Sequence, residues 1–183
     1  MKTILFFTLS LIFQFTFSQT EKSEELYKEA YLYITKGKYN NSIQLLSQAI
    51  VLDSLGNCGT GINGKAQNEL GYANMRIQNF ELSRDFFDKS IQLNPRNPDP
   101  RVNKVASYIL ENNIEKAKIE LDLFIKELPG YPLAYWQKGN ILENEGNIEQ
   151  ALFEYKKARA FNRQLNILPE SIIKKLDEKL KNN

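Results

Sequence analysis

The chain has 183 residues, 42% of them apolar and 25% charged, a composition that belongs to a folded protein and excludes general disorder. The formal charge is +2, with both signs interspersed along the chain, so there is no basic stripe to neutralise phosphates and nucleic acid is excluded as a partner. With no histidine and one cysteine, the usual general bases, nucleophilic dyads and zinc ligands are missing, and no internal disulfide can form.

The first element is a segment to be set apart from the fold. Lys2 precedes an apolar run from Ile4 to Phe17, broken only by Thr8, Ser10, Gln14 and Thr16. A membrane-spanning helix needs about 20 apolar residues, whereas a signal-peptide core needs about 7 to 15 after a positive start. The run fits the second description. Residues 1–18 are therefore expected to be a signal peptide cleaved after Ser18, giving a chain that starts near Gln19 in the periplasm or outside the cell. An uncleaved N-terminal membrane anchor is the alternative. A lipid-anchored form would need a cysteine directly after the apolar core, and Cys58 lies far downstream. That thiol is expected to be a small, partly buried apolar group.

From residue 23 onward the chain is periodic. Asn79, Asn113 and Asn147 recur every 34 residues and are followed by Phe80, Ile114 and Ile148. Three residues later stand the small Ser83, Ala117 and Ala151, and four beyond them the large Phe87, Leu121 and Tyr155. Pro95 and Pro129 close two copies, while Arg163 stands at that place in the last. An earlier copy reads Tyr39, Ser42, Leu46 and Ala49, offset by 41 residues rather than 34. The seven extra residues fall in the glycine-rich stretch around Gly56, Gly59 and Gly61, which reads as a loop.

Each copy carries two apolar-periodic segments flanking a turn with Gly or Asn, the mark of a helical hairpin. The hairpins are placed at 23–56, 64–97, 98–131 and 132–165, with an inserted loop at 57–63. A hairpin cannot bury its apolar face alone, so the copies must stack. Beyond them, Ile172, Ile173, Leu176 and Leu180 share one face of an amphipathic helix within 166–183, expected to cap the last hairpin.

Glu69-Leu70-Gly71 followed by Phe80, Ser83, Phe87 and Pro95 resembles the tetratricopeptide repeat, with Ala30, Val105 and Gly139 at the small position of the other first helices. Val105 and Lys104 match poorly, which makes the third copy the weakest. The resemblance implies an all-α fold, a right-handed α-solenoid of helix-turn-helix repeats with a C-terminal capping helix. It also implies a concave wall built from first helices. Carried over position by position, that wall falls on Tyr27, Tyr31 and Ile34, then on Asn68, Tyr72, Met75 and Arg76. It continues through Val102, Ala106 and Ile109 to Trp136, Asn140 and Glu143. The implied function is a protein-interaction scaffold binding a peptide or protein segment, with no enzyme activity and no cofactor or metal. An alternative is an accessory subunit of an envelope enzyme or secretion complex, touching it through the glycine-rich loop or the C-terminal helix. The family's clamp of Lys and Asn for a C-terminal carboxylate is not reproduced, because Tyr27 and Tyr31 stand where those residues would be.

Two features carry a competing reading. Gly59-Thr60-Gly61-Ile62-Asn63-Gly64-Lys65 has the spacing of a phosphate-binding loop, but Ala66 replaces the required hydroxyl and a helix precedes it. Glu143, Glu145, Glu149 and Glu154 could serve as acids, but at helix-surface spacing they are expected to be a solvated face.

Overall fold

In a computed structural model, residues 2–181 are described in backbone and residues 18–181 in side chain. Among these residues all regular structure is helical. The elements are α1 (Lys2–Thr35), α2 (Tyr39–Leu52), α3 (Lys65–Arg76), α4 (Phe80–Leu93), α5 (Asp99–Leu110), α6 (Ile114–Glu127), α7 (Pro132–Asn144), α8 (Ile148–Leu165) and α9 (Glu170–Lys181). The signal segment expected at 1–18 lies, except for its backbone and Ser18, outside the described residues. No helix among those described is long and apolar enough to cross a membrane.

The chain divides into two compact units, 1–100 and 101–183. In the first, α1 with α2 and α3 with α4 form hairpins around Leu26, Ala30, Leu46, Ala49 and Leu70, all buried. In the second, one cluster gathers Val105, Ala117, Leu121 and Phe124, and another Tyr135, Ala151, Tyr155 and Ala158.

The small-to-large pairing seen in the sequence is a steric fit. A β-carbon built on Gly71 would lie 2.6 Å from Phe87 Cε1, and one on Gly139 would lie 2.4 Å from Tyr155 Cε1. Each ring therefore sits directly on the backbone of the opposing helix, and Phe87 and Tyr155 are fully buried. Burying such a side chain contributes about 1.5–3 kcal/mol.

The four hairpin turns share one device. The residues in left-handed conformation are Gly37, Gln78, Asn112 and Gly146, at φ of +69°, +66°, +61° and +81°. In each turn this residue's N–H bonds three residues back, as in Gly37 to the Ile34 carbonyl at 2.9 Å, and the next N–H bonds five back, as in Lys38 to Tyr33 at 2.8 Å. That is the Schellman arrangement, which satisfies the last carbonyls of the first helix while reversing the chain.

Proline sets the far end of the second helices. α4 stops at Leu93 and α6 at Glu127, each two residues before a proline, whereas α8 with Arg163 at that place runs on to Leu165. The extension ends where Asn162 Oδ1 accepts the N–H groups of Ile167 at 3.0 Å and Leu168 at 2.7 Å. α9 then folds back onto α8, with Leu176 fully buried and Ile172, Ile173 and Leu180 against the Tyr135–Tyr155 cluster. Arg159 holds Asp177 with two hydrogen bonds, Nε to Oδ1 at 2.7 Å and Nη2 to Oδ2 at 3.2 Å.

The inserted loop is longer than its expected 57–63, filling residues 53–64 between α2 and α3. Asp53 begins it, accepting from Leu55 N at 3.1 Å and Cys58 N at 2.7 Å. Asn57 accepts from Gly61 N at 2.9 Å, and Gly64 N reaches back to the Leu55 carbonyl at 2.7 Å. The segment is thus a closed Ω-type loop that satisfies its own backbone. Gly64 is required at its end, since a β-carbon there would meet the Ser90 carbonyl oxygen at 2.8 Å.

Candidate functional site

The first helices of the hairpins, α1, α3, α5 and α7, carry the expected wall residues, which divide sharply by exposure. In the first unit Tyr27, Asn68 and Met75 are buried. Tyr27 stacks on Tyr31 with ring centroids 6.3 Å apart, and burial pushes its hydroxyl well above the usual tyrosine range. Ile34 is half-buried against the same core as Leu26 and Leu46. These four residues serve packing. Tyr31, at 46% exposure, faces solvent, as does Arg76.

Around Arg76 the unit builds a compact aromatic and cationic cluster. Arg76 Nη1 donates to the Tyr72 hydroxyl at 2.9 Å, and its guanidinium carbon lies 5.1 Å from the Tyr39 ring centroid and 5.8 Å from that of Tyr72. The two rings meet edge to face at 6.4 Å. The hydrogen bond to Tyr72 raises the guanidinium's pKa further. Tyr39 is not among the expected wall residues, because it begins a second helix. At the other end of α3, Lys65 pairs with Glu69 at 2.9 Å, so the phosphate-loop-like stretch ends in an intrahelical ion pair preceded by a helix.

In the second unit Trp136 is 8% exposed and packs on Tyr155 at 5.2 Å between ring centroids. Val102 is half-buried against the Val105–Leu121 core. The Tyr155 hydroxyl lies 2.9 Å from Asn140 Oδ1 and 2.8 Å from Glu143 Oε2, so its one proton serves two acceptors. Burial and then the Glu143 charge push that hydroxyl up, while Lys179 of α9, bonded to Glu143, holds the carboxyl below its usual range.

The expectation of a solvated acidic face is corrected here for Glu143 and Glu154. Glu143 is bonded to Lys179 and Tyr155, Glu154 is buried beside Lys157 at 3.3 Å, and Glu145 pairs with Lys118 at 2.8 Å. Glu145, though paired, is exposed, as is Glu149. Lys118 of α6 and Lys179 of α9 reach Glu145 and Glu143 from other helices, which sequence spacing within one helix could not reveal.

Ile109 and Asn140 border a groove of about 380 Å³ between α5 and α7. Ile109, Ile114 and Ile141 form its apolar wall, and Gln137, Asn140 and Asn144 supply amides. Glu115 and Glu145 stand at its rim, both paired with the single Lys118, at 2.7 and 2.8 Å. Gln137 Oε1 is buried with no hydrogen-bond partner among the described residues. The resemblance brings Ile109 and Asn140 into view, but Ile114, Gln137 and Asn144 lie outside the wall it implies.

For acid–base or metal chemistry the described residues offer little. No group of three or more Cys, Asp and Glu residues among them could hold a metal ion. Cys58 is buried between the loop and α1, and desolvation pushes its thiol up to about 11, where it is a packing group rather than a nucleophile.

The tetratricopeptide repeat model matches residues 19–54, 64–97 and 133–163, more than half of the chain, and leaves out the third hairpin. No curated protein matches in sequence. Among solved structures, a crystal structure of MamA is similar with 25% identity, a TM-score of 0.64, and coverage of 81% of this chain and 82% of that one. A tetratricopeptide repeat protein from Parabacteroides merdae is similar at 19% identity and a TM-score of 0.64, over 88% of this chain and 58% of that one. The first such domain of Spaghetti (RPAP3), bound to the HSP90 peptide SRMEEVD, is similar at 16% identity and a TM-score of 0.56, over 69% of this chain and 95% of that one. Carrying three matched copies of the motif on hairpins of the matching fold, the chain belongs to the tetratricopeptide repeat family.

Proposed function

We propose that this chain is an interaction scaffold that binds a segment of a partner protein along the exposed residues of its first helices, acts outside the cytosol after export, and performs no catalysis. The tetratricopeptide fold is that of a protein-interaction scaffold. The observation that carries the reading to particular residues is the exposure of large side chains that the core does not use: Tyr31 on α1, Arg76 on α3 beside the half-buried Tyr72, and Ile109 beside the groove on α5. Tyrosine and arginine are enriched where protein interfaces concentrate their affinity. The similar RPAP3 domain holds a peptide, in keeping with such a role. Export is supported by the positive start and short apolar run of residues 1–18.

The test is recovery of cross-linked partners from cells expressing the full chain, beside the double variant Tyr31→Ala, Tyr72→Ala. A specific protein captured by the native chain and reduced at least tenfold by the variant is the expected result. Equal capture by both would remove this face of α1 and α3 from the binding site.

A further inference from the structure

The groove of the second unit and the aromatic cluster of the first occupy the same place in the repeat. Stepping 75 residues from the first hairpin to the third turns Tyr39 into Ile114 and Ile34 into Ile109; stepping 68 from the second to the fourth turns Tyr72 into Asn140, Arg76 into Asn144 and Glu69 into Gln137. In the first unit this place is filled by the chain itself, with the Arg76 guanidinium against two tyrosine rings. In the second, shorter side chains stand at the same three positions and a groove of about 380 Å³ lies open among them.

We propose that this groove receives a tyrosine of a partner protein segment with an arginine or lysine close by in the same segment, supplying in trans the aromatic and cationic groups that the first unit supplies in cis. The proposal rests on the scaffold reading and names its ligand. Three observations select the occupant. The wall of three isoleucines suits a ring. The buried Gln137 Oε1 needs a donor, which tyrosine has and phenylalanine lacks. The rim holds two carboxylates against one lysine, Lys118, so a base is attracted and an acidic segment repelled.

The experiment is selection of a random twelve-residue peptide library on the full chain, with affinities of the recovered peptides measured by fluorescence anisotropy. Tyrosine with arginine or lysine within about four residues is the expected enrichment. Replacing that tyrosine by phenylalanine should weaken binding roughly five- to tenfold, the size of one hydrogen bond made or left unmade. The triple variant Ile114→Tyr, Asn140→Tyr, Asn144→Arg, which rebuilds the first unit's cluster in the groove, should abolish binding. Should that variant fold poorly, Gln137→Leu tests the same contact with a smaller change, since it should erase the preference for tyrosine over phenylalanine.

Enriched peptides that lack the aromatic and basic pair, or whose binding survives both variants, would overturn this occupant while leaving the scaffold reading intact. No specific enrichment would overturn both. A concentration-dependent dimer of the chain itself that the groove variants dissolve would make a second copy the occupant and overturn a foreign segment.

Discussion

Gln78 is the residue at which the repeat's geometry and its sequence disagree. All four hairpin turns demand a left-handed residue, and glycine at 37 and 146 and asparagine at 112 are suited to it. Gln78, at φ +66°, is not. An L side chain in this region costs about 1–2 kcal/mol, while glycine's extra freedom in the unfolded chain returns about 0.5–1 kcal/mol of that. Gln78→Gly is therefore expected to stabilise the protein by about 0.5–1 kcal/mol, read as a higher urea midpoint at unchanged slope. A lower midpoint would mean that the glutamine side chain holds something the turn needs. The four turns also differ in how far their sequences disclose them. Gly37 and Gly146 announce their turns by composition, and the pairs Gly71 with Phe87 and Gly139 with Tyr155 announce a close approach by size. Gln78 announces nothing, because its conformation is set by the turn's own Schellman bonds, Gln78 N to the Met75 carbonyl and Asn79 N to the Asn74 carbonyl.

Among the elements, α9 combines an apolar seat with two charged ties. Its amphipathic stripe is plain in the sequence, but Glu143, which it engages, looks there like part of a solvated face, since the base that meets it comes from 36 residues away. The Glu143–Lys179 pair makes α9 sensitive to acid. Glu143 has a folded pKa below its ordinary value of 4.5, chiefly through Lys179. A depressed carboxyl contributes stability that is fully present above its unfolded pKa and is lost as pH falls through the folded one. Packing of α9 is thus expected to hold from neutral pH down to about 4.5 and weaken below it. Amide hydrogen exchange of residues 170–181 at decreasing pH is the measurement. In Glu143→Gln the acid-induced rise in exchange should shrink. An unchanged acid response would place the switch elsewhere.

For the molecule as a whole, the period of 34 carries the fold, because small and large residues at fixed offsets are a steric requirement that survives wide variation elsewhere. It carries the site less far. Half of the wall implied by resemblance, including Tyr27, Asn68, Met75 and Trp136, is packing, since a helix in a stacked array shows solvent only a narrow stripe. The groove is hidden in the sequence because its defining residues are paired only by counting register between alternate hairpins. The first 18 residues read differently from the repeat: from Ile4 through Phe17 the sequence is apolar except at Thr8, Ser10, Gln14 and Thr16, without the spaced pattern of a core-facing helix. The packed repeat begins later: Ser23, Leu26, Tyr27 and Ala30 are the first buried positions among the described side chains, and the family match starts at residue 19. A chain beginning at Gln19 is therefore expected to unfold in urea with the midpoint and slope of the chain that carries residues 1–18, and the intact mass of protein recovered from outside the cytosol should correspond to a start near Gln19. A lower midpoint and shallower slope for the shorter chain would show that the apolar run is folded into the first hairpin. Its retention in the recovered mass, with the protein in the membrane fraction, would make it an anchor that holds the binding faces at a bilayer surface.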